Sequence, residues 1–456
     1  MPRWPAFPTV YEINTWVWLS ELSAAAGMQL SLAEIPTQEL ERIAGYGFDG
    51  VWLMGVWQRS PAARNVSRTH SAWQDSFQKA LPGYTDEDIA GSPYAILDYH
   101  VDPALGGDRA LEVLRARLWD LGLLLMLDFV PNHFALDHEW LESHPERLVQ
   151  GTQEDLDREP VNYFRAETGQ PLNIFGHGRD PYFDGWPDTV QLDYRQPETR
   201  RAMSDLLLSI AERCDGLRVD MAMLVTNDVF ARTWGGKFDS EEPEFWSQAI
   251  SRLRARQPDF LMLAEVYWDM EDVLLRIGFD YCYDKPLYDR LLDSEADSVR
   301  QCIVDRIALQ PHLARFIENH DEQRAVTAFG IEQGKAAGVT ALMLPGLRLL
   351  HEGQLEGRRV RLPVHLGRRQ GEEPLESMEQ FYRRLLPVLG EAIFHQGVWQ
   401  LVELVPATPG DQGFENALAY QWLLDDQICL AVSNLSKRRA EFELPIHVPH
   451  MTSRGW

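Results

Sequence analysis

Two hydrophobic patterns alternate along the chain. Short apolar runs read as strands: PTVYEIN (8–14), FDGVWLMGV (48–56), LLLMLDFVPNH (123–133), LRVDMAM (217–223), FLMLAEVYW (260–268), FDYCYD (279–284), HLARFIENHD (312–321) and LRLLHEG (347–353). Between them lie segments with apolar residues at helical spacing, among them TQELERIAGYG (37–47), RALEVLRARLWDLG (109–122), MSDLLLSIAERCDG (203–216), PEFWSQAISRLRARQ (243–257) and IEQGKAAGVTALML (331–344). ESMEQFYRRLLPVLG (376–390) is the last of these helices. Several strands are unbroken apolar runs, as burial on both faces of a helix-covered parallel sheet requires. Eight strands, each followed by helical sequence, predict an α/β fold of the closed (β/α)8 TIM-barrel type, with an open doubly wound sheet as the alternative.

The pattern breaks in three places. Residues 57–108 and 134–200 are long, irregular insertions after the second and third strands, and the second is rich in Pro, Gly, Asp, Asn and aromatics. From about residue 395 short runs such as WQLVELV, LAYQWLL and QICLAVSNL alternate with turn-like spacers, which predicts an antiparallel β domain. The expected organisation is barrel (1–133), insertion (134–200), barrel again (201–392) and C-terminal β domain (393–456).

Charge narrows the partners. With 43 basic against 69 acidic side chains, the net charge of -26 argues against nucleic acid or an anionic membrane and leaves neutral substrates open. The four cysteines, Cys214, Cys282, Cys302 and Cys429, form no CxxC pair or dense disulfide pattern. No run of 18 apolar residues occurs, and MPRWPAFPTVYEIN interrupts its apolar positions with Pro and Trp, so the expectation is a cytoplasmic protein. Nothing in the sequence speaks to oligomeric state.

Chemistry in a barrel collects at the C-terminal ends of the strands. Four such ends carry polar groups: Asp128 with Asn132 and His133, Arg218 with Asp220, Glu265, and the cluster from Glu318 through His320 and Asp321 to Glu322. Singly, each reads as a salt-bridge partner or helix cap; together they read as a site. No G-x-S-x-G elbow, P-loop or H-E-x-x-H motif competes. Carboxylates supported by His and Arg suit glycosidic bond cleavage, where one attacks the anomeric carbon and another protonates the leaving oxygen.

DFVPNH (128–133), GLRVD (216–220), AEVYW (264–268) and ENHD (318–321) occur in the order of the conserved regions of the α-amylase family, glycoside hydrolase family 13, which the chain resembles. QLDYRQPE (191–198), GSPYAILDYHVDPALGG (91–107) and ALMLPGLRLLHEGQ (341–354) resemble further segments of that family. The resemblance implies Asp220 as nucleophile, Glu265 as general acid and then base, and Asp321 as the third carboxylate that grips ring hydroxyls. It implies substrate contacts from Tyr94, His133, Arg218 and His320, with Arg218 keeping Asp220 ionised and Glu265 raised in pKa. It also implies a retaining double displacement, with the two carboxyls about 5 Å apart and no redox or nucleotide cofactor. Asn132 matches a calcium-binding position of many relatives, and an Asx turn or loop hydrogen bond fits it equally.

Departures from the family pattern bear on substrate. Met223 and Leu224 stand where starch-cleaving relatives carry a Lys-His pair, and Gly91 stands where exo-acting α-glucosidases often carry an acid. The basic stretch GQLEGRRVRLPVHLGRR (353–369) offers Arg358, Arg359 or Arg361 to an anionic aglycone or phosphate, or is a solvated or structural charge run. The expected substrate is a small α-glucoside or oligosaccharide, hydrolysed. Transfer or phosphorolysis through the same intermediate, and a noncatalytic carbohydrate-binding barrel, are the alternatives. Phe316 and Ile317 are expected to anchor a strand, while Glu318, Glu322 and Arg324 read either as local support or as aglycone contacts.

Overall fold

Apolar runs from the whole length of the chain close into one parallel barrel. In the computed structural model, which describes residues 3–166, 173–236, 238, 243–410 and 412–446, its strands are β1 (Thr9–Asn14), β2 (Gly50–Met54), β3 (Leu124–Phe129), β4 (Gly216–Val219), β5 (Leu261–Ala264), β6 (Tyr281–Tyr283), β7 (Leu313–Arg315) and β8 (Leu347–His351). Neighbours in sequence are neighbours in space, and β8 pairs in parallel with β1 to close the ring. The open doubly wound alternative is thereby excluded. All six residues of β3, LLMLDF, are buried, Asp128 included.

The floor of the barrel is plugged by Trp4. Its indole N–H donates to the Asp215 carbonyl at 2.8 Å, and its ring lies so close to Gly50 that a Cβ there would meet Cη2 at 2.6 Å. Gly346, leading into β8, has φ +114° and room for no side chain, since a Cβ would stand 2.1 Å from the Leu313 carbonyl oxygen of β7. Gly346→Ala is expected to cost more than about 2 kcal/mol, because backbone and not a movable side chain blocks it. Thermal denaturation checks this as a fall in Tm.

The insertion after β2 is more regular than its sequence suggests. A strand at Trp57–Arg59 pairs antiparallel with Ile96–Val101, and two helices, Pro61–Thr69 and Ser71–Ala80, fill the space between. The first is opened by Ser60, whose hydroxyl accepts from the Ala63 N–H at 2.8 Å, with Pro61 in the first turn. Its buried stripe is only Ala63 and Ser67, small residues that do not read as an apolar run. The insertion after β3 holds two short antiparallel pairs, His133–Ala135 with Thr189–Gln191 and Tyr163–Arg165 with Ile174–Gly176.

Strand β7 is shorter than HLARFIENHD predicts. It ends at Arg315, and Phe316 and Ile317 are buried beyond it in the loop. The Asn319 carbonyl Oδ1 accepts from the backbone N–H groups of Asp321 and Glu322, both at 2.9 Å, and this Asx turn shapes the loop carrying His320 and Asp321. After the barrel, β9 (Val398–Val402), β10 (Ala417–Leu424) and β11 (Gln427–Asn434) form an antiparallel sheet. It is tied to the barrel wall by Trp422, whose indole donates to the Met343 carbonyl at 2.7 Å, and by Tyr420, whose hydroxyl donates to that of Thr340 at 2.6 Å. Among the described residues no helix is long and apolar enough to cross a membrane.

Candidate active site

Arg218 lies on β4 and Asp220 directly follows its last residue, two positions on, so the strand's alternation sends both side chains to the same face. The Arg218 guanidinium is wholly buried. Its NH1 donates to Asp220 Oδ1 at 2.8 Å, its NH2 donates to Glu265 Oε2 at 2.6 Å, and Asp128 Oδ1 lies 4.0 Å from NH1. Rings of Trp52, Tyr94 and Tyr283 surround it at 5.2, 5.3 and 5.7 Å from their centroids. One cation thus holds the carboxyls of β4 and β5 on adjacent nitrogens, in a site walled by aromatics.

That sharing changes the electrostatics expected from the sequence. Burial pushes the Asp220 carboxyl up to about 7; Arg218 opposes this, and the charge of Glu265 adds to it. The guanidinium that favours an ionised Asp220 also meets Glu265, so its charge is shared between the two carboxyls. Asp128 is likewise raised by burial to about 6, against Arg218 and hydrogen bonds from the Gly55 N–H (2.9 Å) and the Trp52 indole (3.0 Å). Glu265 Oε2 also accepts from the Met221 N–H at 2.8 Å, whereas Oε1 faces the Tyr267 hydroxyl at 2.8 Å. Oε1, which accepts from that hydroxyl, is the oxygen without a cation. Met221 reaches its position with φ 42°, a left-handed conformation rare for a side chain of its size.

Opposite this pair stand His320 and Asp321. Glu12, buried on β1, accepts at Oε1 from His320 Nδ1 at 2.5 Å, while His320 Nε2 lies 3.0 Å from Asp321 Oδ2 and 2.7 Å from the Tyr94 hydroxyl. Burial works against a charged imidazole here, but Asp321 and Glu12 together lift His320 to about 10. Burial also opposes the Asp321 charge, and His320 and Arg218 nonetheless hold that carboxyl well below the usual range. The Asp321 side chain is 45% exposed, open to an incoming ligand. His133 behaves in the opposite way: burial lowers it to about 3, and it stays neutral beside Trp186, 5.1 Å between ring centroids.

Glu12 was not among the residues singled out by sequence. Because His320 rises from 6.5 to about 10, its contribution to stability is complete below pH 6.5 and is lost as pH rises through about 10. Glu12→Gln removes one of the two lifting charges, so both that loss and the alkaline limb of activity are expected to move to lower pH. Melting curves and pH–rate profiles from pH 6 to 11 read the shift.

Several sequence candidates stand outside the site. Glu318 is fully buried, accepting from Arg324 NH1 at 2.7 Å and from the Ala325 N–H at 2.6 Å, so both are local support and not aglycone contacts. Glu322 lies 3.3 Å from the Lys285 ammonium. Met223 and Leu224 are buried in the 3-10 turn Ala222–Val225. Asn132 Oδ1 accepts from Gln191 Nε2 at 3.0 Å, a loop hydrogen bond, and among the described residues no group of three or more His, Cys, Asp or Glu could hold a metal ion. Trp52, Tyr267 and Tyr283, which sequence reasoning also missed, contribute polar edges from otherwise apolar strands and their ends.

Two cavities flank the carboxyls. One of about 560 Å3 is bordered by Met221, Tyr267 and Trp268 beside Glu265. The other, of about 470 Å3, opens beside Asp321.

The α-amylase catalytic-domain model matches residues 35–278, more than half of the chain. The protein belongs to the α-amylase family. Its curated relatives include an α-amylase from Haloarcula japonica, 26% identical over 368 residues, with 79% of this chain and 46% of that one covered. They also include an α-1,4-glucan:maltose-1-phosphate maltosyltransferase from Rhodospirillum rubrum, 26% identical over 257 residues, covering 54% of this chain and 30% of that one. The chain spans about half the length or less of these relatives. Among solved structures, the maltogenic α-amylase AmyB of Thermotoga neapolitana superposes with a TM-score of 0.65 at 20% identity, over 94% of this chain and 86% of that one. This α-amylase-family chain therefore shares the fold with proteins from which its sequence has diverged widely.

Proposed function

We propose that the protein is a retaining α-glycosidase that hydrolyses a small α-glucoside or oligosaccharide. The observation that carries this reading is the single Arg218 guanidinium bridging Asp220 and Glu265. Asp220 attacks the anomeric carbon while Glu265 gives its proton to the departing oxygen, leaving a glycosyl ester on Asp220. Glu265, now ionised, takes a proton from water, whose oxygen displaces Asp220 and restores both carboxyls. The charged His320 donates to a ring hydroxyl and Asp321 accepts from one, which positions the sugar for attack. The four free cysteines support a reducing, cytoplasmic setting in which short imported or metabolically produced glucosides are the available substrates.

A second reading, transfer to a sugar acceptor, is favoured by the cavity beside Glu265, which Tyr267, Trp268 and Phe183 line and which has room for an acceptor in place of water. Phosphorolysis fits this cavity less well, because Asp180, Asp269, Glu271 and Asp289 border it. Product analysis with maltose, sucrose, trehalose, glucosylglycerol, glucosylglycerate and maltodextrin, with and without phosphate, separates the readings. Free sugar released first as the α-anomer supports hydrolysis with retention, and longer glycosides at high acceptor concentration support transfer. A β-configured first product, or no turnover of any α-glucoside, contradicts the proposal.

A further inference from the structure

The two cavities differ in charge. Beside Glu265 the lining holds Asp180, Asp269, Glu271 and Asp289 against Lys285 and Arg290, and the Lys285 ammonium is already engaged by Asp289 and Glu322. Beside Asp321 the lining holds Lys79 and Arg361. Neither of these two cations has a hydrogen bond or ion pair among the described residues, although Arg361 lies near enough to Asp321 to help hold its carboxyl low. Elsewhere in the same basic stretch Arg358 meets Glu21 at 3.4 Å, Arg368 meets Asp88 at 2.6 Å, and Arg369 is clamped by Glu21 and Glu352, both at 2.5 Å. Arg359 is exposed and borders neither cavity.

The general acid must stand at the leaving oxygen, so the cavity beside Glu265 receives the leaving group. The cavity on the Asp321 side then receives the sugar that is transferred to the enzyme. This assignment rests on the proposed roles of Glu265 and Asp321. The sequence left the basic stretch open between an anionic aglycone or phosphate and a solvated charge run; its Arg361 lines this cavity, on the glycone side. The negative border around the leaving group repels an anion there, and the Lys79–Arg361 edge attracts one on the other side. The charge of Asp321 in the same cavity is offset by His320 and Arg218. Trp73, Val360 and Val364 supply an apolar wall, with Trp73 held at 4.4 Å between centroids by both His70 and His365.

We propose that the cavity beside Asp321 binds a carboxylate or phosphate on the glycone through Lys79 and Arg361, so that the preferred substrate is an anionic α-glycoside with an uncharged leaving group. The test compares kcat/KM for 4-nitrophenyl α-glucoside, its glucuronide and its 6-phosphoglucoside, at low and high salt. Glucose, glucuronate and glucose 6-phosphate are titrated in parallel by calorimetry. The expected result is a preference of about tenfold for one anion over the neutral sugar, the scale of two partly exposed charge-assisted contacts. That preference shrinks as salt is added. Which anionic arm responds tells carboxylate from phosphate. The preference ratio is expected to collapse in Lys79→Ala, in Arg361→Ala and in the double variant, with folding of each checked by its melting curve.

Equal or better use of the neutral glucoside overturns the proposal while leaving the α-glycosidase reading intact. A preference that survives in the double variant also overturns it. No turnover and no binding of any of the three overturns both.

Discussion

Asp220→Asn is expected to lower kcat on every accepted α-glucoside by about 10^4-fold, because the amide cannot form the glycosyl ester and nothing else in the site can replace it. The loss should fall on kcat and kcat/KM together, since ground-state contacts through Asp321, His320 and Tyr94 remain. Steady-state kinetics on the substrate found in the product screen check this. The fold is expected to tolerate the change, because Arg218 keeps Glu265 as a charged partner. Burial raises Asp220 from 3.8 to about 7, so the native state binds the extra proton, and stability falls as pH rises across that window. In the Asn variant this slope is expected to flatten, which melting curves between pH 4 and 8 reveal. A catalytic loss accompanied by unfolding would point instead to a structural role.

Arg218→Met should damage both activity and stability. It removes the one cation shared by Asp220 and Glu265 and strands three buried carboxyls, Asp128 included. Breaking a buried pair in this way costs about 3–5 kcal/mol, and loss of the positioned charge costs about 10^3-fold in kcat. Arg218→Lys keeps the charge but replaces a planar fork with a point, so it cannot meet the two carboxyls on separate nitrogens. It is expected to recover part of the stability and little of the rate. Urea unfolding and kinetics on both variants separate these contributions; equal recovery of both would count against the bridging role.

Much of this was legible from the chain because the barrel writes itself in unbroken apolar runs. LLMLDF, LMLA and GVWLM are strands buried on both faces, and a polar residue at such a strand's end stands out. Asp220, Glu265, His320 and Asp321 were visible on that ground and meet around one centre. What stayed hidden depends on closure. Glu12 lies 308 residues from His320, and only the pairing of β8 back onto β1 brings the first strand to the site. The sharing of Arg218 was hidden for the same reason: its spacing links it to Asp220, while its second partner lies 47 residues away on the next strand.

Other features stayed open because local sequence does not report burial. Glu318 and Arg324, which read either as local support or as aglycone contacts, form a buried ion pair under the loop. The basic stretch looked uniform, yet most of its arginines that have a partner are absorbed by carboxylates from distant segments, such as Glu21 and Asp88. The helices after β2 were missed because they bury few large apolar side chains, Ala63 and Ser67 in the first and Phe77 and Ala80 in the second, and so do not stand out as apolar runs.

The central claim, that Asp220 becomes covalently glycosylated with Glu265 as its acid, is tested most directly by trapping the intermediate. The protein is incubated with 5-fluoro-α-glucosyl fluoride, whose departing fluoride needs no acid and whose ester hydrolyses slowly, then digested and sequenced by mass spectrometry. One fluorohexosyl group on the peptide that carries Asp220, absent from the Asp220→Asn variant, is the predicted result. Labelling of Glu265 or Asp321, or turnover of the reagent with no covalent adduct on any peptide, would contradict it.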